Sequence, residues 1–251
     1  MLIFDIETGP IDDRDLLREL SPPFTPPPHP GEFDEGAVKY GNLKDEAKRA
    51  EKLKDARAAH DKAVAEYGLT TDAARTQHWA DTLDKAALSP ITGQVVAVGY
   101  FNPVKGGSRI AGLGEAGEEA AILAEFWSIY ESCRAKNSQL AGWNITGFDV
   151  PFLVKRSWLH GVDVPNIFDR TGKYLDQTFV DLMVRFGVGK WGDSTKLDVA
   201  ARWLGVGAKN GEGKEFAKLW RAGGEEREQA RAYLANDLAM TAAVAAKMGM
   251  V

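Results

Sequence analysis

The chain begins with a short apolar strand that carries two acidic side chains, and this strand constrains both the fold and its chemistry. The run Leu2-Ile3-Phe4-Asp5-Ile6 is apolar except at Asp5, and Glu7 follows two positions later. Side chains alternate between the faces of a strand, so Asp5 and Glu7 project together. Buried carboxylates at this spacing repel each other, and a divalent cation such as Mg²⁺ or Mn²⁺ relieves that repulsion. The alternative is that both acids lie in solvent at the strand end.

The composition is that of an ordinary globular chain. Its 251 residues, of which 44% are hydrophobic and 27% are charged, suffice for one sizeable core or for a core with an appendage. Every apolar stretch is shorter than a membrane span, and the N-terminus leads directly into the strand, so we expect neither a signal peptide nor a membrane partner. The single cysteine, Cys133, excludes internal disulfides and cysteine-rich zinc sites and favours a cytoplasmic location. The formal net charge of −5 argues against a protein that coats duplex DNA.

Residues 10–90 form a long connection to the next predicted strand, and we interpret them as an insertion within a single domain that spans residues 1–251. Six prolines between residues 21 and 30 predict an extended connector. Residues 42–67 are typical of a helix with a thin apolar stripe, and a second helix is predicted over residues 71–88, capped by Thr71 or Asp72. Together these helices predict a helical hairpin.

The charges of this insertion limit what it can bind. The stretch from Lys44 to Glu66 contains seven basic and six acidic residues. This near-neutral balance argues against a dedicated phosphate-binding arm. Three interpretations stay open: a clamp over a substrate strand, a contact for a protein partner or a second copy of the chain, and inert decoration. We favour the protein contact.

The tract from residue 91 onward mixes strand and helix patterns. Apolar runs predict strands over residues 94–101, near 109–111 and over 140–143. Helical spacing predicts helices over residues 117–136, 149–160 and 225–248, and a shorter helix through Leu197, Ala201 and Leu204 that Gly205 ends. Residues 178–182 fit either an edge strand or a helix start. The pattern predicts an α/β fold with a mixed sheet flanked by helices.

Two further groups of polar residues lie where such a fold places its ligands. Asp149 follows a buried strand and opens a helix, a position where it either serves as an N-cap or faces a ligand at the strand ends. Tyr233 and Asp237 lie four residues apart on the last predicted helix and share one face, which Met240 continues. That pair is either a surface hydrogen bond or, because a carboxylate near the core needs a partner, part of a metal site.

Taken in order, these groups resemble a known family. The segments Asp5-Ile6-Glu7-Thr8, Asn144-x-x-x-Phe148-Asp149 and Tyr233-x-x-x-Asp237 are similar to the three exonuclease motifs of the DEDD (DnaQ-like) 3′–5′ exonuclease superfamily. The Tyr-x-x-x-Asp form resembles the tyrosine-type branch, which includes the proofreading domains of family B DNA polymerases. The resemblance covers residues 1–9 and 91–250 and implies a ribonuclease H-like fold. This chain differs from the family pattern in its long insertion over residues 10–90 and in lacking a polymerase domain.

The resemblance also implies a mechanism and roles for the motif residues. Asp5, Glu7, Asp149 and Asp237 would hold two divalent ions, Mg²⁺ or Mn²⁺, for phosphodiester hydrolysis. Asp5 would bridge both ions, Glu7 and Asp237 would complete the site of the water-binding ion, and Asp149 would support the other. Tyr233 would orient the water, since an ordinary tyrosine pKa of about 10 does not suit a general base.

The expected substrate is a single nucleic acid strand, DNA in preference to RNA, cut from its 3′ end to release nucleoside 5′-monophosphates. A catalytically silent nucleic-acid-binding scaffold is the alternative from another functional class. Candidate substrate contacts are Thr8, Asn144, Phe148, Lys209 and Lys214, each with a structural alternative: bracing the turn for Asn144, core packing for Phe148, and a solvated glycine-rich linker for both lysines.

Two broader features are less specific. From Arg185 to Arg221 eight basic residues outnumber four acidic ones, which indicates either a phosphate-facing surface or a solvated one. Seven tryptophans suggest base stacking, but four of them, Trp127, Trp143, Trp158 and Trp203, fall in predicted elements, so we assign most tryptophans to the core.

Overall fold

The structure is a computed structural model that describes residues 1–188, 192, 194–211 and 213–251. Its strands are β1 (Leu2–Pro10), β2 (Gly93–Phe101), β3 (Ser108–Gly112), β4 (Leu140–Gly142) and β5 (Phe179–Asp181). Its α-helices are α1 (Arg14–Leu20), α2 (Glu46–Ala86), α3 (Glu119–Ala135), α4 (Asp149–His160), α5 (Leu182–Phe186), α6 (Leu197–Trp203), α7 (Phe216–Ala222) and α8 (Gly224–Lys247).

The five strands form one mixed sheet in the order β3-β2-β1-β4-β5. The central strand is β1, which pairs antiparallel with β2 and parallel with β4, and it places Asp5 opposite Gly99. β5 lies at the sheet edge and runs directly into α5, so residues 178–182 are both an edge strand and a helix start. The predicted α/β class with a ribonuclease H-like mixed sheet is confirmed.

Helices cover both faces of the sheet, and β1 contributes alternate side chains to each layer. Phe4 and Ile6 pack into a cluster with residues of α3 and α4, such as Phe126. Ile3 faces the other way, into a cluster with residues of α7 and α8, such as Trp220. Asp5 and Glu7 share the alternation of Ile3, so their side chains lie on the α7/α8 face.

The chain divides into two compact units, residues 1–20 with 84–251 and residues 21–83. In the second unit the predicted helical hairpin is wrong, because α2 is one continuous helix of 41 residues. Thr71 and Asp72 start no new helix: Thr71 is buried within α2 and Asp72 pairs with Arg75 at 3.0 Å. One glycine, Gly68, costs an α-helix only about 1 kcal/mol, which does not suffice to end so long a helix.

The proline-rich segment supplies the partner that a second helix was expected to provide. Residues 22–30 are extended, as predicted, and one 3₁₀ turn follows at Glu35–Ala37. Residues 24–33 contact aromatic side chains along α2. The Tyr67 hydroxyl donates a hydrogen bond to the Pro27 carbonyl at 3.0 Å. Aromatic contacts join His29 to Tyr67, Phe24 to His78 and Phe33 to His60.

Two other sequence-based expectations differ from the structure. Helix α7 was not predicted, because its seven residues follow a glycine-rich stretch and are too few to show a clear period. The assignment of most tryptophans to the core holds for Trp127 and Trp220, which are buried, but Trp158 and Trp203 are 68% and 75% exposed. Across the described parts of the chain, none of the helices combines the length and hydrophobicity that crossing a bilayer requires.

A buried ion pair connects helices α3 and α4 to the sheet. Glu119 is 4% exposed and accepts hydrogen bonds from Arg156 Nε at 2.9 Å and Arg156 Nη2 at 2.6 Å. The same carboxylate accepts from the backbone N–H of Val95 in β2 at 2.7 Å and lies 2.8 Å from His160 Nε2. Every oxygen of this buried acid is therefore used.

We expect Glu119→Ala to destabilise the protein by on the order of 3–5 kcal/mol, because it leaves the buried Arg156 guanidinium without a counter-ion. Glu131→Ala is the matched control on the same helix. Its exposed ion pair with Arg134 should contribute less than about 1 kcal/mol. Urea unfolding of both variants measures the difference, and equal unfolding midpoints would contradict the assigned role of Glu119.

Candidate active site

Strand β1 and helix α8 bring three acidic side chains together. Asp5 and Glu7 lie on the face of β1 that α8 covers, and Asp237 points at them from the helix. One carboxylate oxygen from each of these residues lies within 4.8 Å of the others, a spacing that suits a metal ion. Glu7 is 8% exposed and Asp237 only 2%. Water therefore screens the repulsion between their negative charges poorly.

A missing side chain on β2 allows α8 to come this close. Leu234 and Leu238 of α8 pack directly on Gly99, which stands opposite Asp5 in the sheet. A Cβ atom at residue 99 would lie 2.6 Å from Leu238 Cδ1, closer than real contacts allow. Asp237 directly precedes Leu238, so this packing sets how far the acid stands from β1.

A fourth acid, Asp149 at the start of α4, lies beside Asp5. It is 3% exposed, and its Oδ1 accepts a hydrogen bond from the backbone N–H of Ile6 at 3.2 Å. It is also within side-chain hydrogen-bond range of Asp5. The N-cap of α4 is Phe148, so Asp149 lies inside the first turn and is directed towards β1.

The protonation of these acids reflects their crowding. Burial, and then the charge of Asp237, raise the pKa of Asp5 to about 7. Burial, and then the charges of Asp5 and Asp237, raise the pKa of Glu7 well above its usual range. Burial, and then the charge of Asp5, raise the pKa of Asp149. Without a cation, the folded protein therefore holds protons on carboxylates that are normally ionised.

One oxygen of this cluster has no partner among the residues that the structure describes. Asp237 Oδ1 is inaccessible to solvent and makes no hydrogen bond to any of them, although buried carboxylate oxygens are normally paired. Oxygen-only donors of this type match the preferences of Mg²⁺ and Mn²⁺. The residues present therefore fit a divalent cation.

Lys209 enters the same cluster. Its Nζ donates to Asp237 Oδ2 at 2.8 Å and to the Tyr233 hydroxyl at 3.0 Å. Burial by itself would lower the pKa of Lys209, but the hydrogen bonds to Asp237 and Tyr233 outweigh it and raise the pKa. The ammonium group therefore stays charged and neutralises part of the acidic cluster.

The glycine-rich segment that carries Lys209 is packed in place rather than solvated as a free linker. The backbone N–H of Lys209 donates to Asp198 Oδ1 at 2.9 Å. A Cβ atom at residue 211 would lie 2.9 Å from the Tyr233 ring, so only glycine permits this approach. The solvated-linker alternative is wrong for Lys209, whereas Lys214 lies exposed in the 3₁₀ turn Gly213–Glu215.

Tyr233 lies one helical turn before Asp237 and is 8% exposed. Burial, followed by the charge of Glu7, raises its pKa, and the hydrogen bond from Lys209 opposes that rise only in part. The phenol thus keeps its proton at neutral pH, and its oxygen accepts the hydrogen bond from Lys209 Nζ.

Asp181, at the end of β5, is a site residue that sequence reasoning missed. It accepts hydrogen bonds from Asn144 N at 3.1 Å and from Thr146 N and Oγ1 at 2.9 and 2.6 Å. It therefore fixes the loop that leads into Asp149, in which Asn144 has a positive φ of 61°. The signal was an acid that ends an apolar strand, but only the fold shows which donors it meets.

The other predicted substrate contacts have structural roles or positions near the site. Thr8 donates its hydroxyl to the Ala87 carbonyl at 2.6 Å. Phe148 packs against the α3/α4 core cluster and contacts the Phe152 ring at 5.6 Å, in line with its core alternative. Asn144 lines the cleft above Asp5.

Two of the carboxylates, Asp5 and Asp237, line an open cleft of about 1020 Å³. Its lining includes Asp5, Asp237, Lys196, Arg202 and Lys209. A volume of this size suits a substrate larger than a single small ion.

The basic stretch from Arg185 to Arg221 is only partly available to a ligand. Arg202 pairs with Asp198, Lys209 with Asp237 and Arg221 with Asp12. Three residues counted in the charge balance, Lys190, Asp193 and Glu212, lie outside the described residues. The basic side chains that reach the cleft are therefore more informative than the overall excess.

The fold and this site define a ribonuclease H-like α/β protein with a buried carboxylate cluster. The chain belongs to the family of predicted 3′–5′ exonucleases related to the exonuclease domain of PolB, whose profile matches residues 88–250. That match includes Asp149, Tyr233 and Asp237, while Asp5 and Glu7 precede it. Membership indicates a nuclease, and exonucleases of this type normally use divalent metal ions.

A similar solved structure is the family B DNA polymerase from the hyperthermophilic archaeon Pyrobaculum calidifontis. The TM-score is 0.50 at 21% sequence identity, and the similarity covers 66% of this chain and 23% of that polymerase chain. Only the fold is shared at this level. Among curated proteins, none matches this sequence.

The raised pKa of Asp5 predicts how stability depends on pH. Its carboxyl pKa rises from 3.8 to about 7 in the folded protein, so folding binds a proton between these values. Protonation of Asp5 therefore favours the folded state fully below about pH 4, and this contribution to stability is lost as the pH rises through about 7. We therefore expect metal-free wild type to be less stable than Asp5→Asn at pH 8, and the gap to close towards pH 4.

Urea unfolding in EDTA at several pH values measures this gap. A tenfold change in proton affinity corresponds to about 1.4 kcal/mol, so we expect a gap on the order of a few kcal/mol. Adding Mn²⁺ should restore the wild type at pH 8 and leave Asp5→Asn less affected. A pH-independent difference between the two proteins would contradict the clustered geometry.

Proposed function

We propose that this chain is a metal-dependent 3′–5′ exonuclease that acts on single-stranded DNA and releases nucleoside 5′-monophosphates. The observation that carries the proposal is the cluster of Asp5, Glu7 and Asp237. Asp149 lies beside it, hydrogen-bonded to the Ile6 backbone N–H, and Asp237 Oδ1 has no partner within the described part of the chain. A scaffold that only binds nucleic acid has no use for buried acids that repel phosphates.

Two divalent cations, Mg²⁺ or Mn²⁺, are proposed as the cofactors, held by Asp5, Glu7, Asp149 and Asp237. Such ions supply a hydroxide-generating Lewis acid and neutralise charge on the leaving oxygen. Asp5 is the shared ligand in this proposal, because it lies within reach of Glu7, Asp237 and Asp149.

Tyr233 and Lys209 complete the proposed chemistry. The protonated Tyr233 hydroxyl donates a hydrogen bond that orients the attacking water. Lys209 lines the cleft, and its ammonium group is proposed to bind a non-bridging oxygen of the scissile phosphate. A cation held by Asp237 would supply the positive charge that Lys209 now provides there. Asn144 lines the same cleft and is proposed as a contact to the substrate strand.

Two contextual proposals accompany this activity. A reducing, cytoplasmic setting is supported by the single cysteine, Cys133, which is buried and carries a free thiol. Residues 10–90 are proposed to contact a partner or a second copy of the chain. That proposal is supported by apolar side chains on α2 that stay exposed, Leu69 at 75% and Val64 at 39%.

A time course with single-stranded oligonucleotides tests the exonuclease. With Mn²⁺, a 3′ label should appear at once as a mononucleotide, and a 5′ label should show a ladder that shortens progressively. EDTA should abolish both signals. Asp237→Asn should lower kcat by several orders of magnitude, because the cluster loses a charged ligand.

Glu228→Gln on the same helix is the control, because Glu228 is exposed and pairs with the nearby Arg231. It should digest the oligonucleotide like the wild type. Matched DNA and RNA strands compare the two substrates, and faster digestion of RNA would replace the DNA preference. An intact oligonucleotide in Mn²⁺, or an active Asp237→Asn protein, would overturn the proposal.

Removing the charge of Lys209 should have opposite effects on catalysis and on metal binding. Lys209→Met keeps the aliphatic stem, and we expect kcat to fall by about a hundredfold, as for loss of one transition-state hydrogen bond. Mn²⁺ should bind more tightly, since the ammonium group no longer competes for Asp237.

Titration calorimetry and single-turnover kinetics measure these two effects. Lys218→Met is the control, as Lys218 is 82% exposed on α7 and pairs with Glu215. Weaker Mn²⁺ binding by Lys209→Met would show that the ammonium group supports the metal site rather than competing with it.

A further inference from the structure

An apolar hollow of about 660 Å³ opens beside the catalytic cleft. Phe186, Val188, Val199 and Trp203 line it, and it shares Thr195 with the cleft. The hollow therefore adjoins the cleft that Asp5 and Asp237 line.

The side chains around this hollow are unusually exposed for their type. Trp203 is 75% exposed, Val188 89% and Val199 53%. Helix α6 buries its other face, with Leu197 and Ala201 packed in a cluster with residues of α8. A concentration of exposed apolar side chains of this kind marks an interaction site.

Aromatic rings connect the hollow to the cleft. Trp143 lines the cleft, and its ring centroid lies 5.6 Å from that of Phe186. The Phe186 ring meets Trp203 edge-on, at 5.9 Å and 86°. The Trp143 indole is fixed by a hydrogen bond to the Thr195 carbonyl at 3.0 Å. These three rings form a path from the carboxylates to the surface, which we call the aromatic path.

Charge beside the aromatic path favours an anionic polymer. Arg185 lines the hollow, and Arg202 lines the adjoining cleft with Lys196. Arg202 pairs with Asp198 of the same cleft, but its side chain stays 65% exposed. Among the described residues, the lining of the hollow contains no acidic side chain. Exposed aromatic rings next to guanidinium groups are typical of surfaces that bind single-stranded nucleic acid.

We propose that Trp203, supported by Phe186 and Trp143, is a stacking platform for bases of the single strand whose 3′ end lies at the carboxylates. This inference rests on the proposed function and adds a binding subsite to it. Stacking uses the face of any base, so the platform binds without sequence preference. Arg185 and Arg202 contact the backbone phosphates between stacked bases.

Oligonucleotide binding in EDTA tests the platform independently of catalysis. Fluorescence anisotropy with a labelled dodecathymidylate gives the Kd of wild type, Trp203→Ala, Trp203→Phe and Trp158→Ala. Trp158 is the matched control, because it is 68% exposed on α4 and lines neither the cleft nor the hollow. We expect Trp203→Ala to bind about tenfold more weakly, and Trp203→Phe to regain most of that loss.

A length series in Mn²⁺ gives a second readout. Trp203→Ala should raise KM for a dodecamer by about tenfold, as in binding, and leave kcat unchanged. KM for a dinucleotide should not change, because so short a strand does not extend along the aromatic path. Trp158→Ala should match the wild type at every length.

The outcomes separate this inference from the proposed function. If the wild type binds the oligonucleotide through Trp203 but cleaves nothing, the stacking platform is supported and the proposed exonuclease activity is wrong. A wild type that cleaves, with Trp203→Ala indistinguishable from Trp158→Ala, removes the platform alone. If Trp203→Ala instead abolishes a dimer detected by light scattering and leaves oligonucleotide binding intact, the surface contacts a second copy and the inference is wrong.

Discussion

Repulsion among buried carboxylates is the constraint on which the rest of this structure depends. Asp5, Glu7, Asp149 and Asp237 come from a strand and two helices, and the fold holds them closer than their charges favour. Folding must therefore supply energy to assemble the site. The core supplies it through large side chains on both faces of β1, and Lys209 offsets part of the charge.

Small features of the sequence give this site its geometry. Gly99 permits α8 to approach β1, Gly211 permits the Lys209 segment to cover Tyr233, and Asp181 holds the loop before Asp149. None of these residues needs to take part in the chemistry. Each determines where a charged group stands, and displacements of about 1 Å are enough to impair catalysis.

The sequence predicted the parts of the fold that have a clear period or a known motif. The strands β1, β2 and β4 were recognisable from their apolar runs, and the helix α8 from its helical spacing. Acids at motif positions further marked β1 and α8. Three features were not predictable in this way. Helix α2 continues unbroken through Gly68 with the proline-rich segment beside it. The position of Lys209 depends on its loop, and the exposure of Trp203 depends on which face of α6 meets α8.

The alternation of β1 has a consequence for how this N-terminal strand tolerates change. Its even positions, Phe4 and Ile6, fill the aromatic layer under α3 and α4, and its odd positions carry the acids, up to a register shift between Glu7 and Thr8. Insertion or deletion of one residue before that shift would exchange the two sets, placing carboxylates among phenyl rings. The length of this segment is thus more tightly restricted than the identity of its apolar residues.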